Sequence, residues 1–139
     1  TKELGTTLIA FSPVGRSLLT DQPLPLITCK ELAFLKLNPR FQEDTYQRNI
    51  EATDQFRSLA ADMDISASGL AIAWLLAKDD HIIPIPGTRS VDHLNELAAG
   101  VELTLSSSDI ETIEKVLPIG WCHGDRYAAD QWNGPEKYC

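Results

Sequence analysis

Two short segments carry the residue types that hold a phosphate. Ser12-Pro13-Val14-Gly15-Arg16 and Pro86-Gly87-Thr88-Arg89-Ser90 each bring glycine, a hydroxyl and an arginine together within five positions. Glycine lets the backbone approach a ligand closely, a hydroxyl donates a hydrogen bond, and a guanidinium adds a charge-assisted one. The same residues also make ordinary Gly/Pro turns with solvated arginines. Spacing alone does not separate the two readings, because backbone phosphate sites follow no single pattern. Other candidates are weaker. Cys122-His123-Gly124-Asp125 has metal-ligating residue types, but adjacent residues make a poor tetrahedral set, and the segment reads as an ordinary loop. His81 and His93 read as a strand-edge and a helix-surface residue, since no carboxylate partner is identifiable for either.

Each glycine-arginine segment follows an apolar run. Residues 6–12 are apolar and β-branched without alternation, which predicts a strand buried on both faces, as in a parallel sheet. Residues 82–86 predict a second such strand, whose prolines fit a strand end better than a centre. Ligands of parallel α/β proteins bind at the carboxyl ends of strands, where both segments fall. Between the strands, residues 21–41 are proline-rich and read as a long loop with one helical turn near 31–35. Apolar residues at helical spacing predict helices over 49–63, 66–78, 90–99 and 107–116. Ser66 or Ser68, Ser90, and Ser106 or Ser108 with Asp109 stand ready as N-caps. The second helix is apolar nearly all round, so it needs covering on more than one side, with Trp74 in the core. Residues 1–5 read like the last turn of a helix capped by Gly5, as if the chain began inside one. Residues 118–139 read as a loop.

Composition narrows the partners. Lys+Arg number 12 against Asp+Glu 20, a net charge of -8, which leaves no basic excess for nucleic acid or an anionic membrane. Cys29, Cys122 and Cys139 are too few and too irregularly spaced for a disulfide framework or a Cys-x-x-Cys metal site, so a cytoplasmic setting is expected. The longest apolar stretch, 69–77, is well short of the roughly 18 residues that span a bilayer.

Four blocks, in order, resemble the C-terminal part of aldo-keto reductases. They are Leu8-Ile9-Ala10-Phe11-Ser12-Pro13-Val14-Gly15-Arg16, Ala71-Ile72-Ala73-Trp74-Leu75-Leu76, the run from Ile83 through Ser90 to Leu94, and Gly124-Asp125-Arg126-Tyr127. The resemblance implies an α/β fold, the C-terminal sector of a (β/α)8 barrel containing its seventh and eighth strands. It implies NADPH as cofactor and an aldehyde or ketone as substrate. Carried over by position, Ser12, Val14, Gly15 and Arg16 lie along the pyrophosphate and adjoining ribose. Gly87, Thr88, Arg89 and Ser90 surround the 2′-phosphate, with Arg89 its main charge partner, and Glu96 touches adenine. Two positions depart from the family: Leu97 stands where it often has Asn, and Val14 where Leu is commoner.

The family's catalytic Asp, Tyr, Lys and His all precede the segment at which this chain begins, so no catalytic residue and no metal ligand is assigned. Tyr46, Tyr127 and Tyr138 lie outside the family's catalytic context. Trp121, Tyr127 and Trp132 either line a substrate pocket or pack over the barrel. The whole chain, 1–139, is thus expected to be a cofactor-binding portion that needs the remaining strands from a parent chain or another subunit. The competing expectation is a non-catalytic module for nucleotide sensing or protein association.

Overall fold

The computed structural model describes residues 2–132. Tyr138 and Cys139 lie outside them. Its secondary structure alternates as parallel α/β architecture requires: strand β1 (Leu8–Phe11), then helices α1 (Leu26–Glu31), α2 (Glu43–Asp62) and α3 (Ala67–Lys78). Strand β2 (Ile82–Ile85) and helices α4 (Val91–Glu102) and α5 (Ser107–Val116) follow. β1 and β2 pair in parallel, with Leu8 opposite Ile82 and Phe11 opposite Ile85. Pro84 lies within β2, opposite Ala10, and not at its end as the sequence predicts. A residue without an N–H is tolerated there because, among the described residues, β2 has a strand on one side only.

The caps explain where most helices start. Ser66 Oγ accepts from the Gly69 N–H at 3.0 Å and opens α3. Ser90 Oγ accepts from the His93 N–H and opens α4. At α5 the bonding is reciprocal: Ser106 Oγ accepts from the Asp109 N–H, and Asp109 Oδ2 accepts from the Ser106 N–H at 2.8 Å. Two expectations need correcting. α2 begins at Glu43, six residues before the predicted 49, because Glu43 and Asp44 fill its first turn, where carboxylates favour the positive end of the helix dipole. The helical turn expected near 31–35 lies earlier, at Leu26–Glu31, where Cys29 turns inward and is fully buried.

Two apolar clusters hold these elements. One joins Phe56 and Ala60 of α2, Leu70 and Ala71 of α3 and Ile113 of α5. α3 is buried along its whole first half, from Ala67 to Ala73. Trp74 packs against this cluster while its Nε1 donates to Glu114. The second cluster gathers Leu18, Cys29, Leu35, Phe41 and Tyr46, with Trp121 and Cys122 of the tail against it. α3 and α4 cross at glycine: a Cβ on Gly69 would stand 2.9 Å from the Glu96 carbonyl, and one on Gly100 would collide with the Gly69 backbone. The sheet is the exception to this burial. Leu8, Ile9, Phe11, Ile83 and Ile85 are each 43% to 50% exposed.

Candidate functional site

The two glycine-arginine segments converge. Beyond the carboxyl ends of β1 and β2 lies an open cavity of about 1070 Å³. Val14 and Arg16 line it from the β1 side, and Gly87, Thr88, Arg89 and Ser90 from the β2 side. Glu96 and Leu97 of α4 form part of its wall. Small-ligand pockets usually run to roughly 300–1,000 Å³, so this one is suited to a large ligand. Ser12 and Gly15 do not line it; they border a separate hollow of about 30 Å³ together with Arg16, Arg40, Phe41 and Arg126.

The loop after β1 takes its shape from unusual backbone. Ser12, Arg16 and Ser17 have φ of 51°, 57° and 85°, and Gly15 lies between them at 60°. Left-handed conformations at three non-glycine residues cost energy that the surroundings must offset, a pattern common at binding sites. The anchors are identifiable. Arg57 Nη1 donates to the Leu18 carbonyl at 3.3 Å, and Asp21 Oδ1 accepts from the Ala67 N–H at 2.8 Å. The loop is thereby tied to α2 and to the first turn of α3. Opposite, Thr88 Oγ1 and the Ser90 backbone bond to each other at 3.2 Å, which fixes the turn into α4.

The charged groups differ in their engagement. Arg89 is exposed, and no carboxylate among the described residues pairs with it. Arg16 is half-buried: its guanidinium lies 4.7 Å from the Phe34 ring centre and 5.1 Å from that of Tyr127, and its Nη1 donates to the Arg126 carbonyl at 3.0 Å. Burial lowers its pKa; Tyr127 acts against that shift, and the neighbouring Arg126 and Arg40 act with it. Glu96 Oε2 accepts from Ser68 Oγ at 3.2 Å, which holds its carboxylate against α3.

Sequence reasoning missed several lining residues: Ser17, Thr20, Asp21, Gln22, Ser68 and His93. Of these, His93 left a signal, since it stands three residues after Ser90 and three before Glu96, on one helix face. His81 needs a correction. A carboxylate partner does exist: Asp79 Oδ1 lies 3.0 Å from its Nδ1, and Lys2 Nζ bonds the same carboxylate at 2.8 Å. The tail is better anchored than a plain loop. Buried Asn49 donates to the His123 carbonyl and accepts its N–H, while buried Asn38 donates to the Arg126 carbonyl. Gly124, at φ 88°, comes so close to residue 39 that a Cβ would stand 2.7 Å from the Pro39 oxygen. These clamps place Tyr127 beside Arg16, edge-on to Phe34 and to Trp132. Trp121 instead packs into the second core cluster.

Residues 1–118 match the model of the Aldo/keto reductase family. An aldo-keto reductase of Schizosaccharomyces pombe, whose name specifies NADP(+), is 30% identical over 126 residues, covering 91% of this chain and 37% of that protein. A probable aldo-keto reductase of Glycine max is 29% identical over 137 residues, covering 99% of this chain and 38% of that one. The chain therefore spans little more than a third of the length of the curated relatives it matches. Among solved structures, a glycerol dehydrogenase from Gluconobacter oxydans superposes with a TM-score of 0.64 over 84% of this chain and 35% of that one, at 19% identity, a likeness of fold. No single helix among the described residues is long and apolar enough to cross a membrane.

Proposed function

Since this chain belongs to the aldo/keto reductase family, we propose that it is the cofactor-binding, C-terminal sector of an NADPH-dependent reductase of aldehydes or ketones. The observation that carries the reading is the convergence of two glycine-arginine turns on one large cavity at the carboxyl ends of two parallel strands. The residues fit a phosphorylated dinucleotide. Arg89 has a guanidinium free of carboxylate partners among the described residues and would hold the 2′-phosphate, with Gly87, Thr88 and Ser90 at the start of α4 around it. Val14 and Arg16, with Ser12 and Gly15 shaping their loop, would border the pyrophosphate and its ribose. The Glu96 carboxylate accepts hydrogen bonds and would meet the amino edge of adenine.

When bound, the reduced nicotinamide supplies a hydride. The residues of this chain bind and orient; the groups that protonate the developing alkoxide belong to the rest of the barrel, which a parent chain or another subunit provides. The apolar sheet supports that division. Parallel sheets are ordinarily covered on both faces, and five apolar residues of β1 and β2 stand about half exposed. The net charge of -8 leaves no basic excess to neutralise nucleic-acid phosphates.

The test is titration of the full-length protein with NADPH and NADH. Losing one charge-assisted phosphate contact costs on the order of 1.5–3 kcal/mol, so Arg89→Ala should weaken NADPH binding by roughly 10- to 100-fold and NADH binding far less. Equal weakening of both would count against the assignment of Arg89.

A further inference from the structure

Three of the chain's six arginines converge where its net charge of -8 gives least reason to expect them. Arg16, Arg40 and Arg126 border the hollow of about 30 Å³ beyond the end of β1, together with Ser12, Gly15 and Phe41. Each comes from a different part of the chain: the strained loop after β1, the turn before α2, and the tail. Each is held in place by a ring or a carbonyl of the chain itself. Arg16 lies between Phe34 and Tyr127. Arg40 Nε donates to the Gly124 carbonyl at 3.2 Å. Arg126 stacks 4.2 Å from the centre of the Phe11 ring. No carboxylate among the described residues forms an ion pair with any of them.

Burial is the main reason the Arg16 pKa is lowered, and repulsion from Arg126 and Arg40 adds to it against the raising effect of Tyr127. An anion relieves that repulsion. The small hollow admits one or two oxygen atoms, and planar guanidiniums match a carboxylate edge. Its position at a strand's carboxyl end, sharing Arg16 with the large cavity, sets it beside the proposed cofactor groove.

We propose that Arg16, Arg40 and Arg126 form an anion subsite that selects carbonyl substrates bearing a carboxylate. The proposal rests on the reductase reading above and adds its substrate class. The anion could instead come from the cofactor's pyrophosphate, and the experiment separates the two sources.

The full-length protein is assayed with NADPH and two aldehydes of matched shape, 4-carboxybenzaldehyde and the uncharged 4-nitrobenzaldehyde. The ratio of their kcat/KM values is compared between wild type, Arg126→Gln and Arg126→Lys, alongside the Kd for NADPH. Arg126 is the suitable position because its side chain is exposed, while the backbone carbonyl that Asn38 and Arg16 use is unchanged by substitution. The expected result is a ratio that falls about tenfold in Arg126→Gln, recovers in part in Arg126→Lys, and leaves NADPH binding within twofold. An unchanged ratio overturns the proposal. A weakened Kd for NADPH with an unchanged ratio also overturns it and assigns the arginines to the cofactor. If neither aldehyde is turned over, the reductase reading has failed, and calorimetric titration with benzoate decides the subsite alone. A tenfold weaker Kd in Arg126→Gln upholds it; absence of saturable benzoate binding refutes it.

Discussion

Asn49 shows how much one polar side chain can organise. It is fully buried, donates to the carbonyls of Arg40 and His123 and accepts the His123 N–H at 2.7 Å. Replacing it by Leu, similar in size, orphans one buried donor and two acceptors, each worth about 1–3 kcal/mol. Asn49→Leu should therefore lower the urea midpoint of unfolding and speed proteolysis within residues 120–128, the segment Asn49 fastens. Asp109 makes a second residue-level case. Its carboxylate accepts from the Ser106 side chain and backbone, which holds its pKa below the ordinary value; Asp79, bonded by Lys2 and His81, is lowered as well. A folded pKa below the unfolded one gives stability that is present above the unfolded value, near 3.9, and is lost as pH falls through the folded value. Urea midpoints should thus decline as pH drops below about 4, and Asp109→Asn should flatten that decline; an unaltered slope would contradict the assignment. At this scale the sequence is half legible. Gly87, Thr88, Arg89 and Ser90 betray themselves because glycine, hydroxyl and arginine sit side by side. Asn49 and Arg126 do not, since their partners lie far along the chain and only the fold brings them together.

Elements were easiest to foresee where a cap marks them. Ser66, Ser90 and the Ser106–Asp109 pair each stand where a helix begins, and α3, α4 and α5 start within a residue of expectation. Hydrophobic spacing alone starts α2 too late, because its first turn is acidic and not apolar. α1 escapes a reading by pattern, because a six-residue helix after Pro25 offers almost no periodicity to detect. The crossing of α3 and α4 was hidden altogether: Gly69 and Gly100 are unremarkable until the two helices are known to touch. That contact bears on the shape of the cavity, because Ser90, Glu96 and Leu97, which line it, all ride on α4 or its cap. Gly100→Ala must push α4 away from the Gly69 backbone. Overpacking of this kind costs typically 1–3 kcal/mol. The variant should melt at lower temperature and bind NADPH more weakly in the full-length protein, whereas Gly87→Ala, with nothing within 4 Å of the added methyl, should melt as wild type does.

For the whole molecule, the decisive feature is the parallel sheet, two-stranded among the described residues, whose apolar residues are half in solvent. A complete barrel of this type has eight strands and about 250 residues. On the proposed division of the barrel, the isolated 139-residue chain should not reduce carbonyls: in that reading the groups for acid catalysis, worth typically 10²–10⁴-fold, lie in the rest of the barrel, and a bound nicotinamide would be open to water. NADPH consumption with a panel of aldehydes checks this against the full-length protein; robust turnover abolished by Tyr46→Phe or Tyr127→Phe would place the active site in this chain after all. The same sheet bears on how the protein is made. β1 and β2 are partners, yet about 74 residues separate Leu8 from Ile82. At roughly 5–20 residues per second, a ribosome releases β1 some 4–15 s before β2 exists. The helices in between can form from local contacts in that interval, but the apolar run that will become β1 waits with open edges. A segment open to mispairing during synthesis is thus the one that later carries Val14 and Arg16 to the wall of the cavity.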